Sequence, residues 1–174
     1  MGETTPQATP VGTLPLTVNL QYIKDLSFEV PGGPQIFTQL RTAPQVTISM
    51  DVQARRLQEG QPTFEVALVV RAEAKLAAPG NGQAQGEQPV VFIVELTYAG
   101  IFTLGAMPEN AIEPVLLVEC PRLLFPFARG IVSDLTRDGG FPPVMLAPVD
   151  FVALWQSRRQ VAGANQVSPP EVPS

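Results

Sequence analysis

Four stretches of this chain alternate apolar and polar residues with a period of two, and all four precede the first stretch with helical spacing. That period belongs to a half-buried β-strand, because successive side chains leave opposite faces of the pleat. In TVNLQYIKDLSFEV at 17–30, Val18, Leu20 and Tyr22 alternate with polar neighbours, and Leu26, Phe28 and Val30 do the same after a change of face near Ile23. A bulge there would supply the change. PGGP at 31–34 forces a turn, and after an irregular stretch QVTISMDVQARRL carries Val46, Ile48, Met50 and Val52 in strict alternation. EGQP at 59–62 reads as a hairpin turn into a third strand with Phe64, Val66, Leu68 and Val70 on one face. APGNGQAQGEQP at 78–89 has no large apolar group and reads as a long mobile hairpin loop before the fourth strand, VVFIVELTYAGIFTL. Antiparallel pairing is the economical solution for strands joined in this way.

Helical spacing begins only with Leu124, Phe127, Ala128, Ile131 and Leu135. Pro121 suits the first turn of such a helix and Gly139-Gly140 its stop, whereas Pro126 should kink it or delay its regular part. Asp150 is placed to N-cap a last helix, FVALWQSRRQ. Strands first and helices afterwards predict an α+β fold with a four-stranded antiparallel sheet. Residues 1–15 and 161–174, rich in Pro, Thr and Gln or poor in large apolar groups, read as disordered tails around one domain at 16–160.

Composition narrows the function. Charged residues make up 16% of the chain against 45% apolar, which is low for a small monomer and implies apolar surface buried between subunits or used for binding. Sixteen carboxylates against eleven scattered cations leave a net charge of -5, which disfavours nucleic acid. With no histidine and one cysteine, Cys120, a zinc site of three or four His/Cys ligands and the common nucleophile-base pairs cannot be built. No GxxxxGK[ST] or GxGxxG loop cradles a phosphate, so no cofactor, metal or ATP is expected. The first twenty residues lack the basic start and apolar run of a signal peptide, and no stretch is long enough to insert in a membrane, so a cytoplasmic location is expected. Glu113 with Glu119 and Asp134 with Asp138 are the remaining carboxylate pairs, and solvated helix charge is the favoured reading of both. Cys120 reads as structural, because no imidazole is available to lower its pKa.

Three stretches, YIKDLSFEVPGGPQIF at 22–37, VELTYAGIFTL at 94–104 and CPRLLFPFARGIVSDLTRDGGFPPVMLAPVDFVALW at 120–155, resemble the SecB family of protein-export chaperones. The similarity spans about residues 17–156, and the CPxLLFPFAR, GGFPP and LAPVDFxALW runs carry most of it. The resemblance implies a homotetramer, a dimer of dimers, that holds unfolded secretory preproteins without ATP and delivers them to SecA, the translocase motor. It places Asp25, Glu29, Ile93 and Glu95 on a SecA-docking surface of the exposed sheet face. It associates Phe92, Val94, Leu96 and Tyr98 with tetramer assembly or client binding, and allows Phe37, Leu40 and Trp155 to contribute to client grooves. Three departures accompany it: the crossover FTQLRTAPQV at 37–46 lacks the tryptophan of many members, the hairpin loop at 78–89 is long, and the C-terminal tail lacks the acidic run often seen. The competing readings are a related chaperone serving a toxin-antitoxin system, a purely structural oligomer and an enzyme working through carboxylates alone.

Overall fold

A computed structural model describes residues 15–77 and 87–164. Residues 1–14 and 165–174 of the two expected tails, and 78–86 of the 78–89 loop, lie outside the described residues, whereas 161–164, expected to belong to the C-terminal tail, continue the last helix. Four strands, β1 (Leu16–Glu29), β2 (Gln45–Arg56), β3 (Thr63–Lys75) and β4 (Val90–Leu104), form one antiparallel sheet in the order β1-β4-β3-β2. β2, β3 and β4 are successive neighbours, while β1 pairs with a strand more than sixty residues further along the chain. The turn at PGGP places Gly33 at φ 50° and then opens α1 (Gly33–Gln39), a short helix with Pro in its first turn and Ile36 buried. This helix occupies the stretch that reads as irregular from the sequence.

The expected change of face in β1 is present as a register shift between Ile23 and Asp25, and a second shift lies between Val18 and Leu20. The second corrects the reading of Val18, Leu20 and Tyr22 as one face. Val18 stands opposite Phe102, whereas Leu20 and Tyr22 stand opposite Ile101 and Ala99, which belong to the other face of β4. Asn19, the extra residue, donates from Nδ2 to Thr103 Oγ1 at 3.0 Å, which satisfies its amide at the bulge.

The even-numbered residues of β3 and β4 form the covered face. Val66, Leu68, Val70, Phe92, Val94, Leu96 and Phe102 are all fully buried there, and each contributes on the order of 1.5 to 3 kcal/mol of transfer free energy. The cover is a continuous helical stretch that starts at α2 (Glu109–Pro114), earlier than the Pro121 start expected from the spacing. It passes through a π-turn segment (Val115–Glu119) into α3 (Cys120–Asp138). The Cys120 N–H reaches back five residues to the Val115 carbonyl. This wider turn comes immediately before Pro121, which has no N–H and whose ring would crowd the carbonyl four residues back in a regular helix. α3 then passes through Pro126 without a break. Its buried stripe is Cys120, Leu124, Ala128, Val132 and Thr136, and Phe127 faces outward, which corrects the sequence assignment of Phe127 to the buried face.

Gly140, at φ 88°, ends α3 as the glycine pair suggested, and the chain folds back along the sheet. The buried Thr136 hydroxyl bonds the Val132 carbonyl and accepts the Val144 N–H, both at 2.9 Å, so the returning segment is tied to the helix. Asp150 Oδ1 accepts the Ala153 N–H at 3.0 Å and caps α4 (Phe151–Ala164), which runs four residues past Gln160. α4 lies against the outer strand β2. Arg158 donates to the Val52 carbonyl at 2.7 Å and pairs with Asp51, and Trp155 Nε1 donates to Glu113 at 3.1 Å.

Gly100 leaves no room for a side chain between β4 and α3. A Cβ there would lie 2.7 Å from the Phe102 ring and 3.0 Å from Leu124 Cδ2. Gly100→Ala is therefore expected to destabilise the chain by about 1 to 3 kcal/mol through overpacking. Urea unfolding checks this; an unchanged midpoint would mean that α3 is not seated on β4 in this way.

Candidate functional site

From Ile93 onward the odd-numbered residues of β4 face away from α3, and on this open face the register assembles a charged row. Glu29 lies opposite Ile93, Ser27 opposite Glu95 and Asp25 opposite Thr97. Asp25, Glu29 and Glu95 are exposed and Ile93 is half-buried, so the four residues expected to share this face are brought together on two adjacent strands. β3 adds Arg71 opposite Glu95 and Glu73 opposite Ile93. Arg71 bonds both Glu95 and Glu73, and Lys75 lies 3.0 Å from Glu73 and 3.3 Å from Glu87. These two cations hold the Glu73 carboxyl below its ordinary range, Lys75 contributing most.

Further along the same face, Glu65 of β3 is buried although its side of the sheet is otherwise open. Tyr22 donates its hydroxyl to Glu65 Oε1, while Lys24 Nζ at 2.9 Å and Arg55 Nε at 2.5 Å reach Oε2. Small residues under the cluster, Ala67 and Ala99, leave room for Tyr22 and Lys24 to lie across β4 from the edge strand. Lys24 is the extra residue of the β1 bulge, so the cluster fastens the bulge that sets the phase of Asp25 and Glu29. The Arg55 hydrogen bond, helped by Tyr22 and Lys24 and opposed by burial, brings the Glu65 carboxyl from about 4.5 down to about 2. Its hydrogen bond to Glu65 raises the Tyr22 pKa.

The covered face opens into an apolar groove of about 290 Å³ between β2 and the segment after α3. Val46 and Ile48 form one wall, Pro142, Pro143 and Met145 the other, and Phe92 lies at the bottom. Phe92 is packed between Phe28 and Phe141, and the exposed Phe37 stacks on Phe141 with ring centres 5.0 Å apart, extending an aromatic surface beside the groove. Leu40 is half-buried against the core. Of the other residues associated with clients or assembly, Val94 and Leu96 are core side chains, and any influence they have passes through the packing of α3. Tyr98 is 8% exposed and stacks on the outward Phe127. Trp155 lies away from this groove, bonded to Glu113 at the rim of a second cleft of about 500 Å³ that also presents Arg56, Glu109 and Leu116. Sequence reasoning did not single out Met145 or the proline pair as groove walls, although the exposed apolar residues of β2 and the rigid FPP segment were visible.

The carboxylate pairs considered for catalysis are engaged elsewhere: Glu119 pairs with Arg122, and Asp134 and Asp138 both pair with Arg137. Among the described residues no three His, Cys, Asp or Glu side chains stand close enough to share a metal ion, and no helix is long and apolar enough to cross a membrane. Burial pushes the Cys120 thiol up to about 12, with Glu119 adding to the effect.

A four-stranded antiparallel sheet covered on one face by a long helix is the fold of SecB-like chaperones. A SecB-like chaperone of Mycobacterium tuberculosis, solved in complex with a peptide from an antitoxin, superposes with a TM-score of 0.57 at 14% identity, covering 78% of this chain and 91% of that one. Residues 11–162 match the family model described as preprotein translocase subunit SecB. The protein-export protein SecB of Acidiphilium cryptum is 65% identical over 83% of this chain and 89% of its own length, and that of Granulibacter bethesdensis 61% identical over 90% and 86%. The chain belongs to the SecB family of protein-export chaperones.

The Glu65 cluster has a pH signature. A carboxyl whose pKa is lowered by folding contributes stability that is complete above its unfolded value of about 4.5 and is lost as pH falls towards about 2. Acid titration of unfolding should show this loss between about pH 4.5 and 2 in the wild type and a shallower slope in Glu65→Gln. Parallel curves would mean that the carboxylate is not held by its three donors.

Proposed function

We propose that this protein is a cytoplasmic, ATP-independent holdase that binds unfolded secretory preproteins along apolar grooves and delivers them to SecA. In this reading it works as a homotetramer arranged as a dimer of dimers, with no enzymatic step. The observation that carries the proposal is the separation of two unlike surfaces on opposite faces of one strand. Phe92 faces the apolar groove, while its neighbours Ile93 and Glu95 face the charged row. The high identity to SecB proteins named for protein export supports export over toxin-antitoxin service, since the antitoxin-bound structure shares the fold at only 14% identity.

Magnitudes favour a multivalent mechanism. Three apolar client side chains buried at ~1.5 to 3 kcal/mol each would gain ~5 to 9 kcal/mol per groove. Ordering the client offsets much of that gain. One groove therefore holds a short peptide weakly, whereas an unfolded chain crossing several symmetry-related grooves binds through high effective concentration. A folded domain cannot offer its core to several grooves. In our reading Phe37, Leu40, Phe92, Tyr98 and Trp155 contribute to client contact or assembly, and Val94 and Leu96 support both through packing. Asp25, Glu29, Ile93 and Glu95 receive SecA.

Two measurements test this. Light scattering on a sizing column should show a particle of four 18.7 kDa chains that co-elutes with a chemically unfolded precursor and not with the folded one, in the absence of nucleotide. A monomer that binds neither would leave the family fold without the proposed function. Glu95→Lys should retain client co-elution and weaken SecA binding, and added salt should weaken SecA binding by the wild type. Equal loss of both activities in a correctly assembled variant would overturn the division into two surfaces.

A further inference from the structure

The open face contains a contact that docking on Glu95 has to break. Arg71 is the residue directly across from Glu95, and its Nη1 donates to Glu95 Oε1. Its Nη2 donates to Glu73 Oε2 at 3.0 Å. One guanidinium therefore bridges a carboxylate of the proposed docking row and a carboxylate outside it. Among the described residues neither Asp25 nor Glu29 makes an ion pair. Of the row's three carboxylates, two are thus free and the third is already answered by the chain's own cation.

We infer that Arg71 is an intramolecular competitor for the docking partner, holding Glu95 while the surface is free and giving it up to a cationic group of that partner. The inference rests on the docking reading proposed above and adds what limits its affinity. Two features make the exchange feasible. The side chains of Arg71 and Glu95 are 41% and 50% exposed, so their pairing is solvent-screened and weak enough to be replaced. Arg71 also keeps Glu73 after the exchange, and its several donors need not be left without an acceptor. Glu73 is steadied in turn by Lys75.

The competition also selects among partners. An apolar client segment offers nothing that can replace a guanidinium on Glu95, so the pair keeps such segments from settling on this face. A partner with a well-placed Lys or Arg loses only the difference between two similar ion pairs. Arg71 thereby lowers docking affinity while sharpening the requirement for charge.

Titration calorimetry of the intact assembly with its cognate SecA at low ionic strength tests this with wild type, Arg71→Met, Glu95→Gln and the double variant. Circular dichroism and sizing verify the fold, and Arg71→Gln serves as a second variant if Arg71→Met assembles poorly. Arg71→Met is expected to bind SecA about two- to fivefold more tightly, the range of one exposed ion pair. Glu95→Gln should bind more weakly, and adding Arg71→Met to it should bring no further gain. If Glu95→Gln weakens binding but Arg71→Met leaves it unchanged or weaker, the competitor role is wrong and the docking surface stands. An equal gain in both backgrounds would assign the effect to general charge and overturn the competition. Glu95→Gln binding as tightly as wild type would remove the docking reading itself and this inference with it.

Discussion

Everything else in the structure depends on β4 being paired on both sides. It takes β1 on one edge and β3 on the other, so its backbone donors and acceptors are engaged in two ladders and its side chains have only two directions left. One direction is filled by α3, whose Leu124 packs over Gly100 where a Cβ would not fit. The other carries Ile93 and Glu95. A one-residue slip of this strand would place Glu95 under the helix and Phe92 in water, so the stability of the core and the display of the charged row are set by the same register.

Much of this was legible because period-two alternation reports burial directly. Phe64, Val66, Leu68 and Val70 are buried as their spacing requires, and all four strands stand close to where the alternation places them. Asp150 caps the last helix because a carboxylate just before an apolar helix has few better acceptor roles. What was hidden is non-local or compensated. No local signal in β1 names β4 as its partner, and the bulge at Asn19 is stabilised by Thr103, eighty-four residues away. The helical stretch before Pro121 was missed because two prolines and a π-turn obscure its spacing, although Ile112 and Leu116 stand four apart.

The candidate site divides along the same line. The charged row could be read from the sequence once a family pattern suggested it, since Asp25 with Glu29 and Ile93 with Glu95 share a face by the pleat. The Glu65 cluster could not, because its four members come from three strands and meet only when the sheet is assembled. The groove walls at Pro142, Pro143 and Met145 are likewise products of the chain's return after α3, fixed by a hydroxyl of Thr136 that looks like an ordinary helix residue in sequence.

The contact of α4 with β2 bears on a hazard common to sheets with long edge strands. β2 is a terminal strand twelve residues long, and an unpaired edge of that length can template another chain and propagate into fibrils. Arg158 occupies the Val52 carbonyl with a charged group and pairs with Asp51 beside it. A strand attempting to grow the sheet past this point would meet a guanidinium in place of a free acceptor. The last helix thus covers one acceptor of this edge, on the same strand whose other end, at Val46 and Ile48, is left open to the groove.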